Sequence, residues 1–253
     1  MAATKTPSRN KLLSMMPPAT RARLEPHLEL VTLDHKQVIH ERNSEIKNVY
    51  FPISGVISWI IIMRDGNCAE AMTIGREGVA GLQVVLGGNA GSSVAVVQAA
   101  GEALRIGKED FCRILSRDET LSKTMNLYCS TFINAMAQCA ACNRLHETTE
   151  RCARWLLMMH DRSDGDEFTL VQEFLADMLG VRRPSVSVCA SILQRAGYIS
   201  YKRGKVRIED RKGLESASCE CYEILRDEYD ALEGALKTTV GARTNGRSPS
   251  ARN

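Results

Sequence analysis

Aromatic residues are scarce: two Trp, six Tyr and five Phe make up 5% of 253 residues. A core in such a chain must rest on Leu, Val, Ile, Met and Ala. Long apolar runs are also missing. The longest, Val56 to Met63, is broken by Ser58 and falls short of the ~20 residues a membrane-spanning helix needs. The opening MAATKTPSRN carries no apolar segment leading to a cleavage site. These absences lead us to expect a cytoplasmic protein without membrane contact. The nine cysteines are odd in number and irregular in spacing, which excludes a secreted disulfide scaffold and favours free thiols or metal ligands. There is no nucleophile–base motif, no phosphate loop and no dinucleotide fingerprint, so neither catalytic residues nor enzyme activity are expected. Charge of one sign is missing in two places. From Glu77 to Leu104 there is no Lys or Arg, and from Met178 to Ile208 there is no Asp or Glu. The whole chain nevertheless carries 33 cations against 30 anions, a net charge of only +3.

What is present changes texture along the chain. Residues 11–30 read as short helical pieces around Pro17-Pro18. Between Val31 and Ile106 the apolar segments are short and separated by turns: Val49–Ile53, Val56–Met63, Ala71–Ile74, Val94–Val97 and Leu104–Ile106. Asp65-Gly66 suits a type I′ hairpin turn. The pattern predicts a compact β-roll. Glu119 to Leu145 contains neither Gly nor Pro and predicts one long helix. Its apolar positions, Leu121, Met125, Tyr128, Phe132, Ala135, Cys139 and Cys142, step by four and three. That heptad rhythm predicts the seam of a two-helix coiled coil and hence a homodimer. A helix lying on its own roll is the alternative. A second helix, Thr149–His160, follows, and Asp161–Glu167 reads as a surface loop.

Residues 170–208 carry the clearest functional pattern. A helix over Gln172–Leu179 ends at Gly180, and a second runs from about Pro184 to Ala196. Val186, Ala190 and Leu193 form the buried stripe of the second helix. Tyr198–Ser200, the turn Lys202-Arg203-Gly204-Lys205 and Val206–Ile208 form a small hairpin. Helix, tight turn, helix and basic hairpin make a winged helix-turn-helix. Its acid-free span holds Arg182, Arg183, Arg195, Lys202, Arg203, Lys205 and Arg207. Cations so placed neutralise phosphates and release counterions, while short side chains on the exposed face approach base edges. The residues assigned to double-stranded DNA are Arg182, Arg183, Ser185, Ser187, Val188, Ser191, Lys202, Arg203 and Lys205.

With EFLADMLGVRRPSVSV as its most specific stretch, the chain resembles the Crp/Fnr superfamily of bacterial transcription regulators over most of residues 11–223. The resemblance implies an α+β architecture. A cyclic-nucleotide-binding-like β-roll (11–117) follows a disordered start (1–10). A dimerisation helix (118–147) and a C-terminal winged helix-turn-helix (148–223) come next, ending in a helical extension and disordered tail (224–253), with the helical pattern over 214–236 and the tail over 237–253. It also implies a homodimer on a two-fold symmetric operator and contact with RNA polymerase. Two departures stand out. Val171 occupies the position where the family places a Thr or Ser helix cap, unless Thr169 serves instead. The family's nucleotide cassette, Gly-Glu followed by Arg-Ser, is replaced by Gly81-Leu82 and Gly91-Ser92. A cyclic phosphate would find no cation there, so the roll is expected not to bind cyclic AMP or cyclic GMP in the usual way.

The remaining cysteines and histidines suggest no cofactor. The family's iron–sulfur members use cysteines near the N-terminus, and none here precedes Cys68. Cys139-x-x-Cys142, with His146 one turn on, shares a helix face. It leaves a thiol or metal redox sensor, or a redox enzyme, as the alternative to small core residues. Cys219-x-Cys221 would diverge on a helix and share a metal only if that segment were irregular. His27, His35, His40, His146 and His160 sit in no haem-ligand motif.

Overall fold

The computed structural model describes residues 9–244. The expected disorder of residues 1–8 and 245–253 falls outside them. Asn10, placed in the disordered start, is instead fully buried. Its side chain caps α1 (Lys11–Ser14) and donates to the carbonyls of Pro52 and Gly78 at 2.8 and 3.0 Å. α2 (Pro18–Leu24) follows, and the chain enters the roll.

Seven strands build the roll: β1 (Glu29–Leu33), β2 (Val38–His40), β3 (Asn48–Pro52), β4 (Val56–Ile62), β5 (Cys68–Ile74), β6 (Val94–Ala99) and β7 (Gly101–Gly107). They form two antiparallel sheets, ordered β1-β7-β3 and β2-β6-β4-β5. Leu33, Val49, Phe51, Ile57, Met72, Val97 and Ile106 meet between them, all buried. The five apolar segments read from the sequence are strands β3 to β7. Strands β1 and β2 escape that reading because they are edge strands, β1 with mostly exposed side chains and β2 only three residues long. The β4–β5 turn is not type I′: Gly66 alone takes a positive φ, and Asp65 instead accepts from the Asn67 amide at 3.0 Å. A single turn of helix, α3 (Leu82–Val85), interrupts the roll between β5 and β6.

α4 (Lys108–Leu115) leads into α5, which spans Glu119–Leu145 as the sequence predicts. Asp118 caps α5, accepting from the amides of Thr120 and Leu121 at 3.0 Å, and pairs with Arg23 at 2.8 Å. The heptad stripe of α5, expected to be a dimer seam, is covered within the chain itself. Leu121, Met125, Tyr128, Phe132, Ala135, Cys139 and Cys142 are all buried within one chain. Phe132 stacks on Trp59 of β4, and the Tyr128 hydroxyl accepts from the Val79 amide at 3.2 Å. Gly78 admits that hydroxyl, since a Cβ there would lie 2.2 Å from it. Periodicity marks a buried helix face but does not say which surface buries it.

α6 (Thr148–His160), β8 (Glu167–Thr169), α7 (Gln172–Leu179), α8 (Arg183–Arg195), β9 (Ile199–Lys202), β10 (Lys205–Ile208) and α9 (Arg211–Ser216) form the C-terminal unit. Its sheet runs β8-β10-β9, so the loop read over Asp161–Glu167 ends in a third strand. A half-buried bridge from Arg162 to Glu77, 2.7 Å, ties the end of α6 to the roll. The last helix, α10 (Cys221–Thr244), is a second long helix where the sequence predicts a helical extension. It lies antiparallel on α5. Gln138 near the end of α5 meets Cys221, and Asn134 one turn earlier meets Glu228. Tyr222, Leu225, Leu232 and Leu236 form its buried stripe. Residues 237–244, read as the start of a disordered tail, belong to this helix. No helix among the described residues is long and apolar enough to cross a membrane.

Candidate nucleic-acid interface

The helix-turn-helix forms for local reasons. Gly180 ends α7 with φ 63°, a left-handed conformation that costs glycine nothing. Arg182 then holds an extended backbone as the cap of α8, and Pro184 fits its first turn, where an amide hydrogen would have no partner. Val171 caps α7 without a side-chain bond, and Thr169, its suggested substitute, lies in β8. Val186, Cys189, Ala190 and Leu193 are buried, which fixes the rotation of α8. The opposite face is open: Arg182, Arg183, Ser187, Val188 and Ser191 are exposed, Val188 by 59%, while Ser185 is half-buried. The sequence reading left out Ile192, 39% exposed on this face, and Gln172. The Ser187 hydroxyl donates to the Gln172 side chain at 2.8 Å.

The wing is a true two-residue hairpin. Arg203 and Gly204 have φ of 51° and 77°, the paired positive values of a type I′ turn. Lys202, Arg203 and Lys205 project into solvent. They are equal in charge but not in pairing. Lys205 pairs with Glu167 at 2.9 Å and Arg207 with Glu209 at 3.8 Å, acids that lie outside the acid-free span. Strand β8 brings Glu167 beside β10, which the linear sequence does not reveal. Among the described residues, Arg182, Arg183, Arg195, Lys202 and Arg203 have no acidic partner within salt-bridge distance.

The cassette region of the roll is nearly closed. A space of only about 20 Å³ remains, lined by His40, Trp59, Gly81, Leu82, Gly91 and Ser93 among others. Ser92, named in the sequence cassette, is exposed, and Ser93 takes the inward position. Strand alternation makes that exchange, since neighbouring side chains point to opposite faces. His40 does not replace the missing cation. Burial lowers its pKa, and its Nε2 lies 2.8 Å from the Asn48 carbonyl, to which the neutral ring donates.

The two cysteines offered as a redox pair diverge. Cys139 turns to the roll, donating to the Met72 sulfur at 3.9 Å, and burial pushes its thiol pKa up, against a reactive thiolate. Cys142 instead meets Cys219, their sulfurs 3.5 Å apart. Cys219 and Cys221 do not diverge as expected on a helix, because Cys219 lies in the loop before α10.

A β-roll, a long connecting helix and a winged helix-turn-helix with a basic face define the class of the Crp/Fnr transcriptional regulators, and the chain has their fold. Residues 150–217 match the sequence model of the Crp-like helix-turn-helix domain. The chain is similar to a Crp/Fnr-family regulator from Eubacterium rectale, with TM-score 0.66 and 17% identity, covering 83% of this chain and 98% of that one. It is similar to FixK2 from Bradyrhizobium japonicum, with TM-score 0.65 and 16% identity over 76% and 98% of the two chains. The c-di-GMP responsive global regulator CLP from Xanthomonas campestris matches with TM-score 0.61 and 17% identity over 76% and 99%. Comparison with curated protein sequences gives no match.

Proposed function

We propose that this protein is a homodimeric, sequence-specific DNA-binding transcription regulator that acts in the cytoplasm. The observation that carries the reading is the open face of α8, where Arg182, Arg183, Ser187, Val188 and Ser191 stand beside an exposed wing bearing Lys202 and Arg203. α8 enters the major groove with Arg183 toward a base edge, and the wing lies along the phosphates. The Gln172–Ser187 bond holds one reading side chain in place.

The homodimer uses the outer face of α5, not the buried heptad. There Ser130, Ile133, Ala137 and Ala140 are exposed at steps of three and four, Ile133 by 56%. Two such faces place two α8 helices on a two-fold symmetric operator. Contact with RNA polymerase follows from the resemblance. The roll does not take cyclic nucleotides in the usual way, because about 20 Å³ without a cation holds at most a water, whereas small-molecule sites measure roughly 300–1,000 Å³.

Fluorescence anisotropy with DNA from the protein's own promoter, across a salt series, tests the reading. Specific binding that weakens steeply with salt is expected. Equal affinity for promoter and unrelated DNA at every salt overturns it. Isothermal titration showing micromolar cyclic-nucleotide binding overturns the statement about the roll.

A further inference from the structure

Four potential ligands from two distant parts of the chain converge at the base of the winged-helix unit. Cys142 lies on the last turn of α5, and His146 caps that helix. Cys219 sits in the loop between α9 and α10, and Cys221 opens α10. Their donor atoms all lie within 4.8 Å of one another. The Cys142 and Cys219 sulfurs are 3.5 Å apart, and the Cys221 sulfur is 3.6 Å from His146 Nδ1. A tetrahedral zinc ion, with bonds of about 2.3 Å to sulfur and 2.0–2.1 Å to nitrogen, separates its ligands by roughly 3.5–3.8 Å. The Cys142–Cys219 and Cys221–His146 separations match that coordination shell, and the remaining ones, all within 4.8 Å, close to it with small side-chain shifts.

The surroundings match as well. His146 turns Nδ1 to the sulfurs and Nε2 to Glu220, whose carboxylate is 3.0 Å away. A carboxylate on the outer nitrogen is the usual support of a metal-bound histidine, since it fixes the tautomer that leaves the inner nitrogen free to ligate. The Gln138 amide donates to the Cys221 sulfur at 3.0 Å. The three cysteines are fully buried, yet they stand apart from the main hydrophobic core. Arg151 and Arg154 are buried beside them and act electrostatically on Cys142 and Cys219, and the Nε of each guanidinium has no hydrogen-bond partner among the described residues. Three thiolates, a neutral imidazole and a divalent ion sum to one negative charge, which two buried guanidiniums compensate.

We propose that Cys142, His146, Cys219 and Cys221 form a closed Cys3His site for a structural zinc ion. On binding, the three thiols each release a proton to solvent, their sulfurs bond the metal, and Nδ1 of neutral His146 gives the fourth bond. Residues 147–218, between the two ligand pairs, are the winged-helix unit itself. The ion therefore staples both ends of the DNA-reading unit to the end of α5. The site is independent of the DNA-binding reading and stands whether or not the protein binds a promoter.

The test is elemental analysis of the full chain, purified reduced and without chelator. One zinc per chain is expected. Cys219→Ser and Cys221→Ser lose it, Cys112→Ser keeps it, and Glu220→Ala weakens it about tenfold or more. Cobalt titration of metal-free wild-type protein covers the case in which the cysteine variants do not fold. Thiolate-to-cobalt charge-transfer bands and intense tetrahedral visible bands, both abolished by added zinc, support the site. Metal far below one equivalent without those cobalt bands overturns it. So does a Cys142–Cys219 disulfide found by peptide mapping of metal-free protein as purified, or equal zinc loss from Cys112→Ser and Cys219→Ser.

Discussion

Trp59 of the roll and Phe132 of α5 stack with ring centroids 5.1 Å apart and planes inclined by 28°. This contact assigns the two faces of the long helix. Phe132 is 1% exposed and its sequence neighbour Ile133 is 56% exposed, so adjacent apolar residues serve different surfaces. Phe132→Ala is expected to cost about 3–5 kcal/mol of chain stability, read by chemical denaturation. Ile133→Glu is expected to leave that stability unchanged and convert a dimer to a monomer in sedimentation. The reverse outcome would return the dimer seam to the heptad stripe.

The winged helix predicts unequal effects from residues of equal charge. Arg183→Ala is expected to weaken specific DNA binding by about 1–3 kcal/mol and relax preference at one base pair. Arg203→Ala should weaken all sequences alike and lower the salt slope by about one. Lys205→Ala should do less than Arg203→Ala, because the Lys205 ammonium is already paired with Glu167. Anisotropy titrations of the three variants at several salt concentrations check the order.

Val171 leaves the start of α7 without a side-chain cap, and its own side chain is 51% exposed. Val171→Ser supplies an acceptor for a free amide of the first turn and is expected to stabilise the protein by about 1 kcal/mol. Thermal melts of the two proteins measure it. No gain would mean that the first-turn amides are already satisfied by water.

Asp118 makes stability depend on pH. Burial alone would raise its pKa, but hydrogen bonds from the Leu121 amide, the Thr20 hydroxyl and the Arg23 guanidinium outweigh burial and hold it below the usual carboxylate value. Its ionised form therefore contributes stability above the unfolded pKa of about 4, and that contribution is lost as the pH falls through the lower folded value. Asp118→Asn keeps a good helix cap and removes the charge. Melting temperatures between neutral and acidic pH should fall less steeply for the variant. Parallel curves would show that other carboxylates govern the acid limb.

Local signals were legible without a structure. Gly180, Pro184 and the Lys202–Lys205 turn announce the helix-turn-helix and its wing, because caps and tight turns depend on nearest neighbours in sequence. The absence of Gly and Pro likewise permitted the long helix, but it did not set its ends, since that span runs over 108–164 and also holds α4 and α6. The missing cations of the cassette region were visible as composition, and burial in the roll bears on the same point by closing the space to about 20 Å³.

Tertiary structure decided what faces what. A heptad of apolar residues specifies a covered face, and only folding showed that the roll and α10 cover it. Glu167 pairs with Lys205 because β8 joins the wing sheet, 38 residues away in sequence. Cys142 and Cys219 meet across 77 residues, because α10 folds back on α5 and the loop before it carries Cys219 inward. Pattern along a chain encodes which residues leave water, since that depends on each side chain and its period. Partnership between distant residues depends on the packing of whole elements, and here it separates Cys139, which meets Met72 of the roll, from Cys142 three residues further on, which meets Cys219.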